Sequence, residues 1–185
     1  FKDLNNGIMP DSRKTINILN KTIGIVGLGN IGKRVAEIAN GLGMRVIAYN
    51  HTPKKMENVE MVDLNTLFKE SDFISLHLKT IPEKTIGLIT KDLLKLCKPI
   101  CFIENQADSK LIVKEDLKYA LENKIIAGYG ATIKEDTKDI EHLDNVILAP
   151  ANAWYSEESM EKLKNIWMKN IIEFENGNVI NLVEE

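Results

Sequence analysis

The chain reads as an α/β protein built on a Rossmann-type, doubly wound parallel sheet with helices on both faces. Three observations carry that reading. Short, near-continuous apolar runs recur through residues 21–150, amphipathic stretches separate them, and the first run opens into the glycine turn Gly27-Leu28-Gly29-Asn30-Ile31-Gly32. Strands that are apolar throughout belong to sheets buried on both faces, and their alternation with helices makes the sheet parallel.

Residues 1–20 are polar, are broken by Gly7 and Pro10 and show no period, so they are expected to form an N-terminal arm. The residues at 22–26 form the first strand. After the glycine turn, Ile31, Val35, Ile38, Ala39 and Leu42 recur at helical spacing, and Gly43 ends that helix. A β-rich run at 45–49 completes a βαβ unit. The pattern continues with a helix around Leu64, Leu67 and Phe68, a strand at 73–76, and a helix from Thr90, its expected N-cap, to Leu96. Strands are expected at 100–103, 125–130 and 146–148, with a helix over 114–122 between the first two. A last helix starts near Ser156, has Glu157 and Glu158 in its first turn, and places Met160, Leu163, Trp167, Ile171 and Phe174 on one face before Gly177. The expected organisation is an arm (1–20), a dinucleotide-binding domain (21–176) and a tail (177–185).

Composition narrows the class. The chain has 185 residues, 44% of them hydrophobic and 28% charged, with a mean hydropathy of −0.16, as in ordinary soluble proteins. Apolar runs fall short of the ~18 residues a transmembrane helix needs, so no membrane association is expected. The 24 basic and 27 acidic residues are scattered, and the net charge of −3 creates no field for nucleic acid. Cys97 and Cys101 match neither a redox CxxC nor a zinc site, so two buried thiols, and no metal, are expected. Without a signal-peptide pattern at the start, a cytoplasmic location is expected.

The glycine turn carries the strongest chemical signal, because it follows an apolar strand and opens an amphipathic helix. Gly27 allows the tight turn, Gly29 lets backbone approach a pyrophosphate, and Gly32 lets helix and strand pack closely. The amides of Asn30 and Ile31 then face the phosphates with the helix dipole behind them. An acidic residue about twenty positions on would hold the adenosine ribose diol, and the residue there is Asn50. An amide does not accept two hydroxyl hydrogens as a carboxylate does, nor does it repel a 2′-phosphate. His51, Thr52, Lys54 and Lys55 follow with further donors, which favours NADP over NAD slightly; a solvated polar loop would read the same way.

Residues 21–180 resemble the nucleotide-binding domain of the D-isomer-specific 2-hydroxyacid dehydrogenases. The stretches that carry the resemblance are KTIGIVGLGNIGKRVA, GMRVIAY, SDFISLHL, the Pro82-Glu83-Lys84-Thr85 step, LITKDLLKLCKP, ALENKIIAG and NVILAP. The resemblance implies a homodimer held by this domain, and a substrate domain drawn mainly from residues N-terminal to it, expected to be absent from this polypeptide. It also implies three catalytic groups: an arginine for the substrate carboxylate, an acid/base histidine, and a glutamate that tunes the histidine. Their positions fall at Asp108, Ala151 and Thr137. Thr132 takes the place of an aspartate near the glutamate, and Lys79 that of a proline.

Replacements for those groups are not evident. His51, His77 and His142 read as structural or solvated, and Glu104, Asp108, Glu135 and Asp136 as a solvated face. Tyr155 and Lys79 are conceivable proton donors with no spacing that pairs them, and Trp154 and Trp167 read as packing aromatics. Asp108 at about 4 Å from a substrate carboxylate would repel it by up to ~4 kcal/mol at an effective dielectric of about 20. The leading expectation is a catalytically inactive or altered relative that serves as a binding or sensor module. The alternatives are an active NAD(P)-dependent oxidoreductase, acting on a 2-hydroxy acid or a neutral carbonyl, and a purely structural dimerisation domain.

Overall fold

The computed structural model describes residues 16–52, 54–134, 137–152 and 154–182, which fall into two compact units dividing after Leu148. Most of the expected arm, and Glu135 and Asp136, lie outside the described residues. The first unit contains β1 (Thr22–Val26), α1 (Asn30–Gly41), β2 (Arg45–Tyr49), β3 (Glu60–Met61), α2 (Leu64–Glu70), β4 (Phe73–Leu76) and α3 (Lys91–Leu94). It continues through β5 (Phe102–Asn105), a 3-10 turn (Ser109–Leu111), α4 (Lys114–Glu122) and β6 (Gly128–Thr132) to β7 (Val146–Ala149), which runs across the division. The second unit carries α5 (Glu157–Glu175), capped by the Ser156 hydroxyl, which accepts from the Ser159 amide.

Seven parallel strands lie in the order β3-β2-β1-β4-β5-β6-β7, the doubly wound arrangement expected from the sequence. The chain runs outward from β1 to β3 and then crosses back to start β4 beside β1. The C-terminal ends of β1 and β4 are level, with Val26 opposite Leu76, and between them the strand order reverses. In open α/β sheets that reversal is where ligands bind.

Successive residues of a strand face opposite ways, and the core divides accordingly. Ile25, Val46 and Ala48 pack with Ala36 and Ala39 of α1 on one face. On the other, Val26, Ile47, Ile74, Leu76 and Ile103 pack with Leu67 and Phe68 of α2, Leu94 of α3 and Leu117 of α4. Each fully buried Ile, Leu or Phe contributes about 1.5–3 kcal/mol. Gly24 makes close packing on the second face possible, since a Cβ there would overlap Ser71 Oγ and come within 2.6 Å of Leu67 Cδ2. Cys97 and Cys101 are free and buried, and their mutual contact and burial push the Cys101 thiol far up, which keeps it unreactive.

Several expected boundaries move for local reasons. β5 begins at Phe102, because the Cys101 amide closes a turn on Lys98 O at 2.9 Å. β6 begins at Gly128, because Ile125 is still tied to α4 through its amide and Ala120 O at 2.9 Å. Thr90 precedes α3 in extended conformation, but its hydroxyl makes no cap bond; Asp116 of α4 accepts from the Lys91 amide instead, at 2.7 Å. The two-residue β3 is too short to leave a periodic signal in sequence.

Asp72 holds the N-terminal ends of the central strands together. Its carboxylate accepts from the Thr22 amide and from Lys98 Nζ, each at 2.9 Å, and its own backbone bonds Thr22 O and Phe102 N. Burial raises the cost of its charge, yet the Thr22 and Lys98 contacts prevail and hold the carboxyl below the usual carboxylate range. A carboxyl that binds its proton less tightly in the folded than in the unfolded chain stabilises the fold above the unfolded pKa, and that contribution is lost as pH falls through the lower folded value. The expected outcome is an unfolding free energy that declines below about pH 4, with a smaller decline in Asp72→Asn, measured by urea titrations across pH.

Candidate functional site

The turn between β1 and α1 is fixed by contacts that only glycine permits. Gly27 has φ of 104°, and a Cβ there would lie 2.8–2.9 Å from the backbone of His77 and Leu78 just beyond β4. A Cβ on Gly32 would overlap the carbonyl oxygen of Gly27, so α1 starts directly against the strand end. Gly29 differs: nothing lies within 4 Å of where its Cβ would be. Two glycines of the turn serve packing, and the third leaves a space.

That space faces the start of α1. The first intrahelical bond runs from the Lys33 amide to Gly29 O at 2.9 Å, so the amides of Asn30, Ile31 and Gly32 precede the helix's own ladder. No side chain caps this end, and its first turn holds no acidic residue. Asn30 and Ile31 are exposed there. Together the open position, the unused amides and the dipole suit the pyrophosphate of a dinucleotide.

On the β2 side, Asn50 lies at the position expected for a ribose ligand, but its side chain is engaged with the turn. The Leu28 amide donates to Asn50 Oδ1 at 2.9 Å, and Asn50 Nδ2 donates to Thr52 O at 2.7 Å. His51 and Thr52 are exposed. Lys54 Nζ donates to Leu28 O at 2.9 Å, which brings a positive charge to the turn.

Beyond β4 the side chains alternate so that Ser75 and His77 share a face. Ser75 Oγ lies 2.8 Å from His77 Nε2 and donates to Glu104 Oε2 of β5 at 3.2 Å. Burial lowers the His77 pKa against the opposing pull of Glu104, so the imidazole is neutral near pH 7. This linkage was missed in sequence, although the alternation along 73–77 already places Ser75 and His77 together. Among the described residues no group of acids, histidines and cysteines is arranged for a metal.

Asp108, Thr137 and Ala151 each have a local bonding role. Asp108 caps the 3-10 turn: its carboxylate accepts from the Lys110 amide at 3.0 Å, and that bond first, with nearby lysines, holds its pKa down. Thr137 is buried and closes a turn, its hydroxyl donating to Lys134 O at 2.8 Å and accepting from the Lys134 amide at 3.0 Å. Ala151 is exposed in the second unit, where its carbonyl accepts from Trp154 Nε1 at 3.1 Å and Trp154 meets Tyr155 edge-on. Thr132 Oγ1 donates to Gln106 Oε1 at 2.9 Å, and Lys79 and His142 are exposed.

A reversed strand order, a glycine turn at the reversal and an uncapped helix end define a nucleotide-binding Rossmann domain. Residues 2–153 match the model of the D-isomer specific 2-hydroxyacid dehydrogenase, NAD binding domain, and the chain belongs to that family. A glyoxylate reductase of Thermococcus litoralis is 37% identical over 167 residues, which are 86% of this chain and 50% of the relative. An acyclic imino acid reductase, solved in complex with NADPH and D-Arg, superposes with a TM-score of 0.87 at 33% identity, covering 99% of this chain and 61% of that one. The NAD-complexed D-isomer specific 2-hydroxyacid dehydrogenase of Lactobacillus delbrueckii ssp. bulgaricus gives 0.84 at 28% identity, covering 94% and 58%. The chain thus spans about half the length of the curated relatives it matches.

The glycine contacts separate stability from binding. Gly29→Val is expected to leave the urea midpoint unchanged while weakening NADH binding at least tenfold, since its side chain enters empty space that a ligand needs. Gly32→Ala is expected to lower stability by about 1–3 kcal/mol through overpacking. Denaturant titrations and NADH fluorescence on both variants check the pair.

Proposed function

We propose that this chain holds a nicotinamide dinucleotide across the C-terminal ends of β1 and β4, and serves as a binding or sensor module that does not carry out the family's 2-hydroxyacid chemistry. The observation that carries the binding is the open space at Gly29 beside the unused amides of Asn30, Ile31 and Gly32. When bound, the nicotinamide supplies a hydride donor or acceptor. Gly27, Gly29, Asn30, Ile31 and Gly32 receive the pyrophosphate, and the segment Asn50, His51 and Thr52 lies on the adenosine side. Asn50 brings no negative charge to that side and Lys54 brings a positive one, which supports a slight preference for NADP over NAD.

The loss of catalysis follows from what stands at the aligned positions. Reduction of a 2-keto acid needs a cation for its carboxylate and a proton donor within hydrogen-bond reach of its carbonyl. Asp108 is an anion committed to a turn, Thr137 is a buried hydroxyl paired with Lys134, and Ala151 has no functional group. General acid-base catalysis typically contributes about 100- to 10,000-fold, so the loss of the histidine alone is severe. A second reading, an active NAD(P)-dependent oxidoreductase on a 2-hydroxy acid or neutral carbonyl, draws support from the reductases among the relatives. The expected outcome is saturable NADH and NADPH binding by fluorescence, without steady-state turnover of glyoxylate or hydroxypyruvate above background. Turnover that disappears in Gly29→Val would establish the second reading instead.

A homodimer accords with an exposed apolar face of the sheet in the first unit. Phe102 is 39% and Ile147 64% exposed, and with Ile23, Met44 and Phe73 they line a groove of about 650 Å³. Contiguous apolar surface of this kind marks interfaces. Sedimentation equilibrium at micromolar concentration is expected to give twice the chain mass of 20.9 kDa; a value at the chain mass would refute the dimer.

A further inference from the structure

We infer that Asn50 and Lys54 clamp the peptide of Leu28, so that Asn50 positions the pyrophosphate turn and is not itself a ligand of the ribose. The inference rests on the dinucleotide-binding reading above. Leu28 lies between Gly27 and Gly29, and its side chain is fully buried against Ile25, Ala36 and Ala48. Its two backbone polar groups are both held from the segment after β2: the amide by Asn50 Oδ1 and the carbonyl by Lys54 Nζ, each at 2.9 Å. A residue flanked by two glycines would otherwise sample many conformations, because glycine restricts the chain least. Three anchors on Leu28, one apolar and two polar, hold the turn in the form that leaves the space at Gly29 open.

The chemistry of residue 50 follows from its partners. The Leu28 amide is only a donor and the Thr52 carbonyl only an acceptor, so the side-chain oxygen must face the turn and the nitrogen must face Thr52. Both ends of the amide are therefore in use within the protein. A carboxylate keeps the first bond and loses the second; an aliphatic side chain loses both. Since the clamp acts on the pyrophosphate turn, common to the two cofactors, its loss weakens NAD(H) and NADP(H) alike. A ribose ligand would instead alter their ratio.

The test uses the full chain with Asn50→Leu, Asn50→Asp and Lys54→Met, read by fluorescence titration of NADH and NADPH and by hydrogen exchange of the Leu28 amide in cofactor-free protein. Asn50→Leu is expected to speed Leu28 exchange and to weaken both dinucleotides by the same factor, about tenfold for the lost bond to the Leu28 amide. Asn50→Asp is expected to restore slow exchange and NADH binding, while NADPH stays weak because the carboxylate repels its 2′-phosphate. Lys54→Met is expected to weaken both dinucleotides, NADPH somewhat more, without changing the Leu28 amide as strongly. A wild-type Leu28 amide that exchanges as fast as in Asn50→Leu overturns the clamp, even if dinucleotides bind. So does an Asn50→Leu variant that shifts the NADH to NADPH ratio with Leu28 exchange unchanged. Absence of binding by wild type to either dinucleotide overturns the function proposed above and, with it, the positioning role.

Discussion

Everything at the site depends on how closely three pieces of backbone approach one another where the strand order reverses. Gly27 lies against the His77–Leu78 backbone, and the start of α1 lies against Gly27 O. Neither contact survives a Cβ, because peptide groups cannot move aside as a flexible side chain can. With β1, α1 and the exit of β4 drawn together, the amides that precede α1's own ladder stand where the strand order reverses. A surface of this kind favours phosphate over an apolar ligand.

The two faces of the sheet make that approach rigid. Alternate residues of β1 enter different cores, Ile25 under α1 and Val26 under α2 to α4, so the strand end is held from both sides. At the N-terminal ends of the strands Asp72 ties β1, β4 and β5 through its backbone and its carboxylate, with Lys98 balancing the charge. The turn thus sits on a strand whose position and height are both set. Leu28 adds the last constraint, its side chain in the α1 core and its peptide held from the segment after β2.

The proposed loss of the family's chemistry rests on side chains that serve their own loops. Asp108 accepts from the Lys110 amide, and Thr137 closes a turn on Lys134. The Ser75, His77 and Glu104 linkage shows that titratable groups remain near β4, but with the imidazole held neutral by burial.

The sequence by itself determined the strands β1, β2 and β4, the helices α1 and α4, and the glycine turn, because apolar period and glycine spacing are local properties that survive in one dimension. It placed Asn50 opposite the turn, since the length of a βαβ unit is nearly constant. It left the ends of β5 and β6 two or three residues adrift, as those ends are set by Cys101 bonding Lys98 and by Ile125 bonding Ala120. What Asn50 does was decided only by tertiary structure. Whether a side-chain amide meets a ligand or the Leu28 peptide depends on where two segments twenty-two residues apart come together, and that distance is settled by the packing of α1 between them.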